Sequence, residues 1–243
     1  MLFPDYQKIT DIRVRQAIGY AYPYQEAAKA IGHIVGVTAL PGTSILPLGF
    51  PGRQGYDVLE PRPNHTDPDK ARAMLREAGF APGDYELEFS FGAQSAVPVE
   101  LIVKSLEAAG FKATPRLVPG DALDTFNHDP DAPVNLRTGG GWCSDWPSGA
   151  LFFRPLFQSD SADNFSQFAE PEIDAEIERI RQLPFEDQPA AWGALDKTIM
   201  TDHYPAIINY YQAVPKLHGS RIGGLNADDI YTMPTWKDLY VMQ

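Results

Sequence analysis

The chain has 243 residues, 44% of them hydrophobic and 21% charged, with a formal net charge of -12. Such a composition supplies a sizeable core for one large or two small domains. The acidic balance excludes a nucleic-acid surface, which needs a basic footprint, and disfavours anionic membranes; no apolar run is long enough for direct membrane insertion.

Asp11 reads as a helix cap, and Val14, Ala17, Ile18 and Ala21 recur at helical spacing, so a helix is expected over about 11–22, limited by Pro23. Prolines and glycines crowd residues 41–66, from Pro41-Gly42 through Pro51-Gly52 to Pro61 and Pro63, and predict a long extended loop. Loops of that length inside a domain are usually functional or lie against another surface. Asp67, Pro68 and Gly79 then bracket a helix with Ala71, Met74, Leu75 and Ala78 on one face. Tyr85 to Phe91 alternates with period two and predicts a strand. A helix from Pro98 to Gly110, a strand from Phe111 to Val118 and a third strand from Val134 to Thr138 follow. Beyond these, Pro171 opens a helix with Ile173, Ile177 and Ile180 inward. Trp192, Leu195 and Ile199 mark another over roughly 187–202, with Trp192 in the core. Pro205 to Tyr211 reads as a strand, Lys216 to Ile222 as an extended piece, and the tail with Tyr231, Trp236 and Tyr240 as irregular. This alternation predicts an α/β (mixed α+β) fold, a mixed sheet flanked by helices, with no linker that forces two domains on residues 1–243.

The segment Gly139-Gly140-Gly141-Trp142-Cys143-Ser144-Asp145-Trp146-Pro147-Ser148-Gly149 sets one carboxylate between two indoles on a glycine-rich turn. Glycine removes bulk and indole supplies apolar faces, so a cation such as an amine suits Asp145 better than catalysis does. A strand end with two core aromatics and a solvated Asp is the alternative on composition alone. Arg137, on the strand entering this turn, either meets a ligand carboxylate or forms a structural ion pair. Cys143, the single cysteine, allows no intrachain disulfide; without a local base it reads as a small buried hydrophobe. Tyr210 and Tyr211 alternate on a strand, so one of them is expected to face a cleft. The histidines His33, His65, His128, His203 and His218 lack metal-ligand spacing, and Asp121, Asp124, Asp129 and Asp131 lack a calcium-loop pattern. No phosphate-binding glycine loop or nucleophile elbow occurs, so neither a metal, a cofactor nor an enzyme activity is expected. The N-terminus carries no signal-peptide pattern, which implies an intracellular protein or a chain without its export segment.

Several motifs together resemble the family 5 extracellular solute-binding proteins of ABC importers, the group of oligopeptide-, dipeptide- and nickel-binding proteins. Asp11-Ile12-Arg13-Val14-Arg15-Gln16-Ala17-Ile18-Gly19-Tyr20-Ala21 is similar to the family's mid-chain helix, and Asp67-Pro68-Asp69-Lys70-Ala71 through Glu77-Ala78-Gly79-Phe80 to its next one. Asn164-Phe165-Ser166 with Glu170-Pro171-Glu172-Ile173-Asp174, and Tyr204-Pro205-Ala206-Ile207, resemble later elements in the family's order. The resemblance implies a type II periplasmic-binding-protein-like C-terminal lobe, without catalytic activity, extracellular or periplasmic in its parent protein. It implies a small peptide or similar solute as ligand and ABC permease subunits as partners. The family's Gly-Trp-x-x-Asp turn, whose Asp pairs with a peptide's α-amino group in peptide-binding members, falls on Gly141, Trp142 and Asp145, with Trp142 and Trp146 as cleft walls and Cys143 and Arg137 beside them. Trp146-Pro147-Ser148 departs from the usual context. The same resemblance makes Lys216 to Ile222 a hinge strand and assigns the tail to 243 to packing on an N-terminal lobe. A ligand-sensing regulatory domain of the same fold is the second function compatible with these motifs.

Overall fold

The computed structural model describes residues 1–60, 64–92, 97–119, 121–226 and 233–242. Pro61, Pro63 and Tyr231, named above, lie outside the described residues. The chain opens with a short strand, β1 (Leu2–Pro4), then α1 (Ile12–Ala21) and α2 (Tyr24–Ala30). Asp11 caps α1, its carboxylate accepting the Arg13 N–H at 2.8 Å, and the predicted inward residues Val14, Ala17, Ile18 and Ala21 are buried. Pro23 ends α1 and opens α2, a helix the periodicity did not announce because it spans barely two turns.

A two-residue strand, β2 (Ala39–Leu40), precedes the proline-glycine loop, whose described residues 41–60 and 64–66 contain neither helix nor strand. Next comes α3 (Pro68–Glu77), capped by Asp67 on the Lys70 N–H at 2.9 Å. It is followed by β3 (Glu86–Gly92), α4 (Val99–Ala108) and β4 (Lys112–Val118). Gly79 and Gly110 close α3 and α4 with φ of +95° and +91°, a conformation that favours glycine. α5 (Leu123–His128) leads to β5 (Leu136–Thr138), and α6 (Ala150–Phe157), α7 (Pro171–Arg181) and α8 (Gln188–Thr198) pack in turn.

The main sheet is mixed, in the order β1-β5-β3-β4. β3 pairs β4 in parallel from Glu86 opposite Lys112 to Gly92 opposite Val118, and β5 runs parallel to β3 through Phe89 opposite Leu136. β1 closes the edge antiparallel to β5, with Phe3 opposite Arg137. Leu87, Phe89 and Leu136 are fully buried, as expected for strands covered by helices.

Two expected extended segments fold differently. α8 runs on as one π turn, Ile199–His203, and Tyr204 then takes a left-handed backbone with φ of 49°. After that bend, Pro205 to Tyr211 does not form the predicted strand. Ile207 makes one antiparallel bridge with Leu2 on the outer edge of β1, and pairing resumes only at β6 (Tyr211–Gln212) against β2. Of Lys216 to Ile222, only Ile222 enters a strand, β7 (Ile222–Gly223), which pairs β8 (Tyr240–Val241) away from the main sheet.

Candidate functional site

The C-terminal ends of β3 and β5 open onto a cavity of about 980 Å³, within the size range of small-molecule sites. The glycine turn that leaves β5 forms one rim. Gly139 has a φ of +93°, and a methyl group added at Gly140 would sit 2.4 Å from the Phe3 ring, so this turn lies tight on β1. Gly141 has open space around it, and neither constraint applies there.

A proline fixes the next residue. Pro155 inside α6 has no N–H to give the Leu151 carbonyl one turn earlier. That carbonyl instead accepts the Trp142 indole N–H at 2.7 Å, so the turn is tied to α6 through the indole. Ser144 is buried and bonds the backbone of Trp146 through its hydroxyl, tightening the turn again. On either side of Ser144, Cys143 and Asp145 remain exposed and line the cavity. Asp145 has no hydrogen bond or ion pair among the described residues, and it is the single charged side chain among those lining the cavity. Met1 lines the cavity too, and its backbone nitrogen bonds the Gly140 carbonyl.

The opposite wall comes from the proline-glycine loop, and a buried carboxylate sets its course. Asp196, on α8 and fully buried, accepts the Ile45 N–H at 2.9 Å, the Leu46 N–H at 3.2 Å and the Tyr56 hydroxyl at 2.8 Å. Burial pushes its carboxyl up to about 6 against those bonds and the nearby Arg53. Tyr211 adds a second pin, accepting the Ser44 N–H at 2.9 Å and donating to the Ser44 carbonyl at 2.7 Å. Held this way, the loop turns Ile45, Pro47, Leu48 and Phe50 to the cavity. Phe50 meets Phe152 of α6 edge to face at 5.2 Å, which joins the two walls at the floor.

Both tyrosines expected to alternate, Tyr210 and Tyr211, line the cavity, because no regular strand forms there to send them to opposite faces. Tyr22 and Tyr24 line it too, with hydroxyls held far above the ordinary range by burial. Neither carries a local signal of a cleft: Tyr22 caps the end of α1, and Tyr24 opens α2, which is too short to announce itself. Asn209 completes this side, its amide nitrogen 3.2 Å from the Tyr22 hydroxyl.

Three expectations need correction. Arg137 does not reach the cavity: it is 0% exposed and its guanidinium pairs with Asp5 at 2.9 Å. It also donates to the carbonyls of Phe165 at 3.2 Å and Asp129 at 3.0 Å, so its charge is spent on tying β5 to three loops. Trp146 is 57% exposed and stands outside the cavity lining, because the Ser144 turn points it away from the floor. Cys143 is exposed rather than buried, since it sits on the open face of that turn. Trp192 is core as expected, stacked on Phe153 at 5.3 Å.

Among the described residues no group of three or more His, Cys, Asp or Glu side chains could hold a metal, and no helix is long and apolar enough to cross a membrane. His203 instead meets the Tyr6 hydroxyl at 2.9 Å, which also donates to Glu170 at 2.7 Å, and this joins the chain start to α7.

A family model described as bacterial extracellular solute-binding proteins, family 5 Middle, matches residues 3–164. The chain belongs to that family. Solved structures agree on the fold. HbpA2 from Haemophilus parasuis superposes with a TM-score of 0.76 at 19% identity, over 100% of this chain and 48% of its own. The periplasmic murein tripeptide binding protein MppA, in its unliganded open form, gives 0.80 at 15% identity, over 99% and 47%. DppA from Helicobacter pylori, solved in complex with peptide STSA, gives 0.69 at 18% identity, over 100% and 46%. The family 5 chain therefore has the fold of type II periplasmic binding proteins and spans about half the length of these structures.

Proposed function

We propose that this family 5 chain is the C-terminal lobe of a solute-binding protein serving an ABC importer, and that it takes a peptide or similar amine-bearing solute. The observation that carries the proposal is Asp145, an exposed carboxylate without a protein partner among the described residues, on the rim of an apolar cavity of about 980 Å³. An ammonium gains most from one carboxylate and neighbouring aromatic faces, and Trp142 supplies such a face beside it. Gly141 and Cys143 complete the same rim without bulk or charge. The role is binding rather than catalysis.

A second lobe closing over this cavity by hinge motion would exclude water and strengthen the ion pair. Lys216 to Ile222, of which only Ile222 lies in a strand here, is the hinge segment on this reading, and the described residues after it pack on that lobe. Exposed apolar side chains there support it: Leu217 is 97%, Trp236 68% and Val241 63% exposed. The peptide ligands named for MppA and DppA support a peptide here, permease subunits are the partners that follow, and the site of action is extracellular or periplasmic.

Calorimetric titration of the full-length natural gene product with a free-amine tripeptide tests the anchor. Asp145→Ala should weaken binding roughly 30-fold or more, the range for losing one member of a desolvated charge pair. Unchanged affinity would remove Asp145 from the role.

A further inference from the structure

The cavity has a chemical polarity that an ammonium anchor alone does not require. Its floor is built from Ile45, Phe50, Ile102, Phe152 and Leu156, all nearly buried yet facing the open volume. Leu48 adds an exposed apolar edge. Neither a lysine nor an arginine lines the cavity among the described residues. Arg137, on the strand entering the turn, is locked to Asp5 behind the sheet, Arg154 of α6 is exposed and outside the lining, and Arg53 is turned to the Thr43 hydroxyl at 2.9 Å and the Tyr211 ring. A ligand carboxylate seated on that floor would thus meet apolar side chains and no lysine or arginine among the described lining residues, and would feel Asp145 as a like charge. A bulky apolar side chain there would instead remove water from the Phe50 and Phe152 faces and meet them at aromatic contact distances.

We propose that this site selects amphiphilic monocations: ligands whose ammonium meets Asp145 and whose adjacent side chain is aromatic or branched aliphatic, seated on Phe50, Phe152, Ile102 and Leu156. Ligands with an acidic side chain at that position are rejected. The inference rests on the amine-binding reading and sharpens it from any amine-bearing solute to one class.

The experiment is a calorimetric series on the full-length natural gene product with Phe-Ala-Ala, Ser-Ala-Ala, Glu-Ala-Ala and N-acetyl-Phe-Ala-Ala. Phe-Ala-Ala should bind roughly 10- to 100-fold tighter than Ser-Ala-Ala, the range for burying one large apolar side chain. Glu-Ala-Ala should bind weakest of the free amines, and acetylation should cost at least as much as the serine replacement. Since Phe50 and Phe152 also serve the core, the variant is Leu48→Lys, on an exposed lining residue; it should narrow the gap between Phe-Ala-Ala and Glu-Ala-Ala by about tenfold. If Ser-Ala-Ala or Glu-Ala-Ala equals Phe-Ala-Ala while acetylation still abolishes binding, the selectivity is overturned and the anchor stands. If acetylation is without effect, or no free amine binds, the amine reading falls and the selectivity with it.

Discussion

Arg137 and Asp145 lie on one short segment, the first inside β5 and the second on the turn that leaves it. Arg137 is sealed against Asp5, a residue from the far end of the chain, and the carbonyls of Phe165 and Asp129 help hold it. Asp145 faces the cavity with no partner among the described residues. The difference lies in what the tertiary fold brings to each. β1 pairs antiparallel with β5 and delivers Asp5 behind the sheet, whereas the turn is held by the Trp142 indole and by Ser144 on the Trp146 backbone and leaves Asp145 free. A buried charge with a fixed partner serves stability; an exposed one beside an apolar cavity is available to a ligand.

Arg137→Ala should break the comparison most strongly. It removes the buried cation from Asp5, leaves only the exposed Lys8 at 3.3 Å, and should cost about 3 kcal/mol in urea unfolding, whereas Asp145→Ala, on the exposed rim, should stay within about 0.5 kcal/mol. Equal losses at the two positions would mean that Asp145 too is structural.

Asp196 sharpens the contrast, since it is a buried acid that shapes the cavity without touching ligand. Its carboxyl, raised to about 6 by burial, holds a proton more tightly in the folded chain than in the unfolded one. Its contribution to stability is therefore greatest below the ordinary carboxylate range and declines as pH rises through about 6, by about 3 kcal/mol in all. Unfolding curves from pH 4 to 7 should show this decline, and Asp196→Asn should flatten it. A wild-type slope that survives in Asp196→Asn would assign the decline to other groups.

The smallest expected effect separates two adjacent glycines of the rim. Gly140→Ala pushes a methyl group into the Phe3 ring and should cost about 1–3 kcal/mol, as overpacking does. Gly141→Ala meets nothing within 4 Å and should be close to neutral. Thermal unfolding of the two variants gives the comparison directly, and equal shifts would contradict the tight seat of the turn on β1.

Much of the scaffold was legible because its signals are local. Asp11, Asp67 and the glycines after α3 and α4 act through bonds to residues a few positions away, so those helices and the two long strands stand where the pattern put them. α6 was not legible, because Pro155 argues against a helix unless the Trp142 indole is known to take the carbonyl it frees. The strand from Pro205 failed for a similar reason: the left-handed bend at Tyr204 leaves a single bridge, Ile207 to Leu2, and no local alternation announces that bend.

The site divides along the same line. By itself the sequence determined a glycine turn with one carboxylate beside an indole, since those residues are contiguous. Only the tertiary structure decided that Arg137 is a buried tie, that Trp146 points away, and that Phe50, Phe152 and two pairs of tyrosines line the same cavity as Asp145. Those facts depend on contacts between residues far apart in the chain, and such contacts are fixed by the packing of elements rather than by any local pattern.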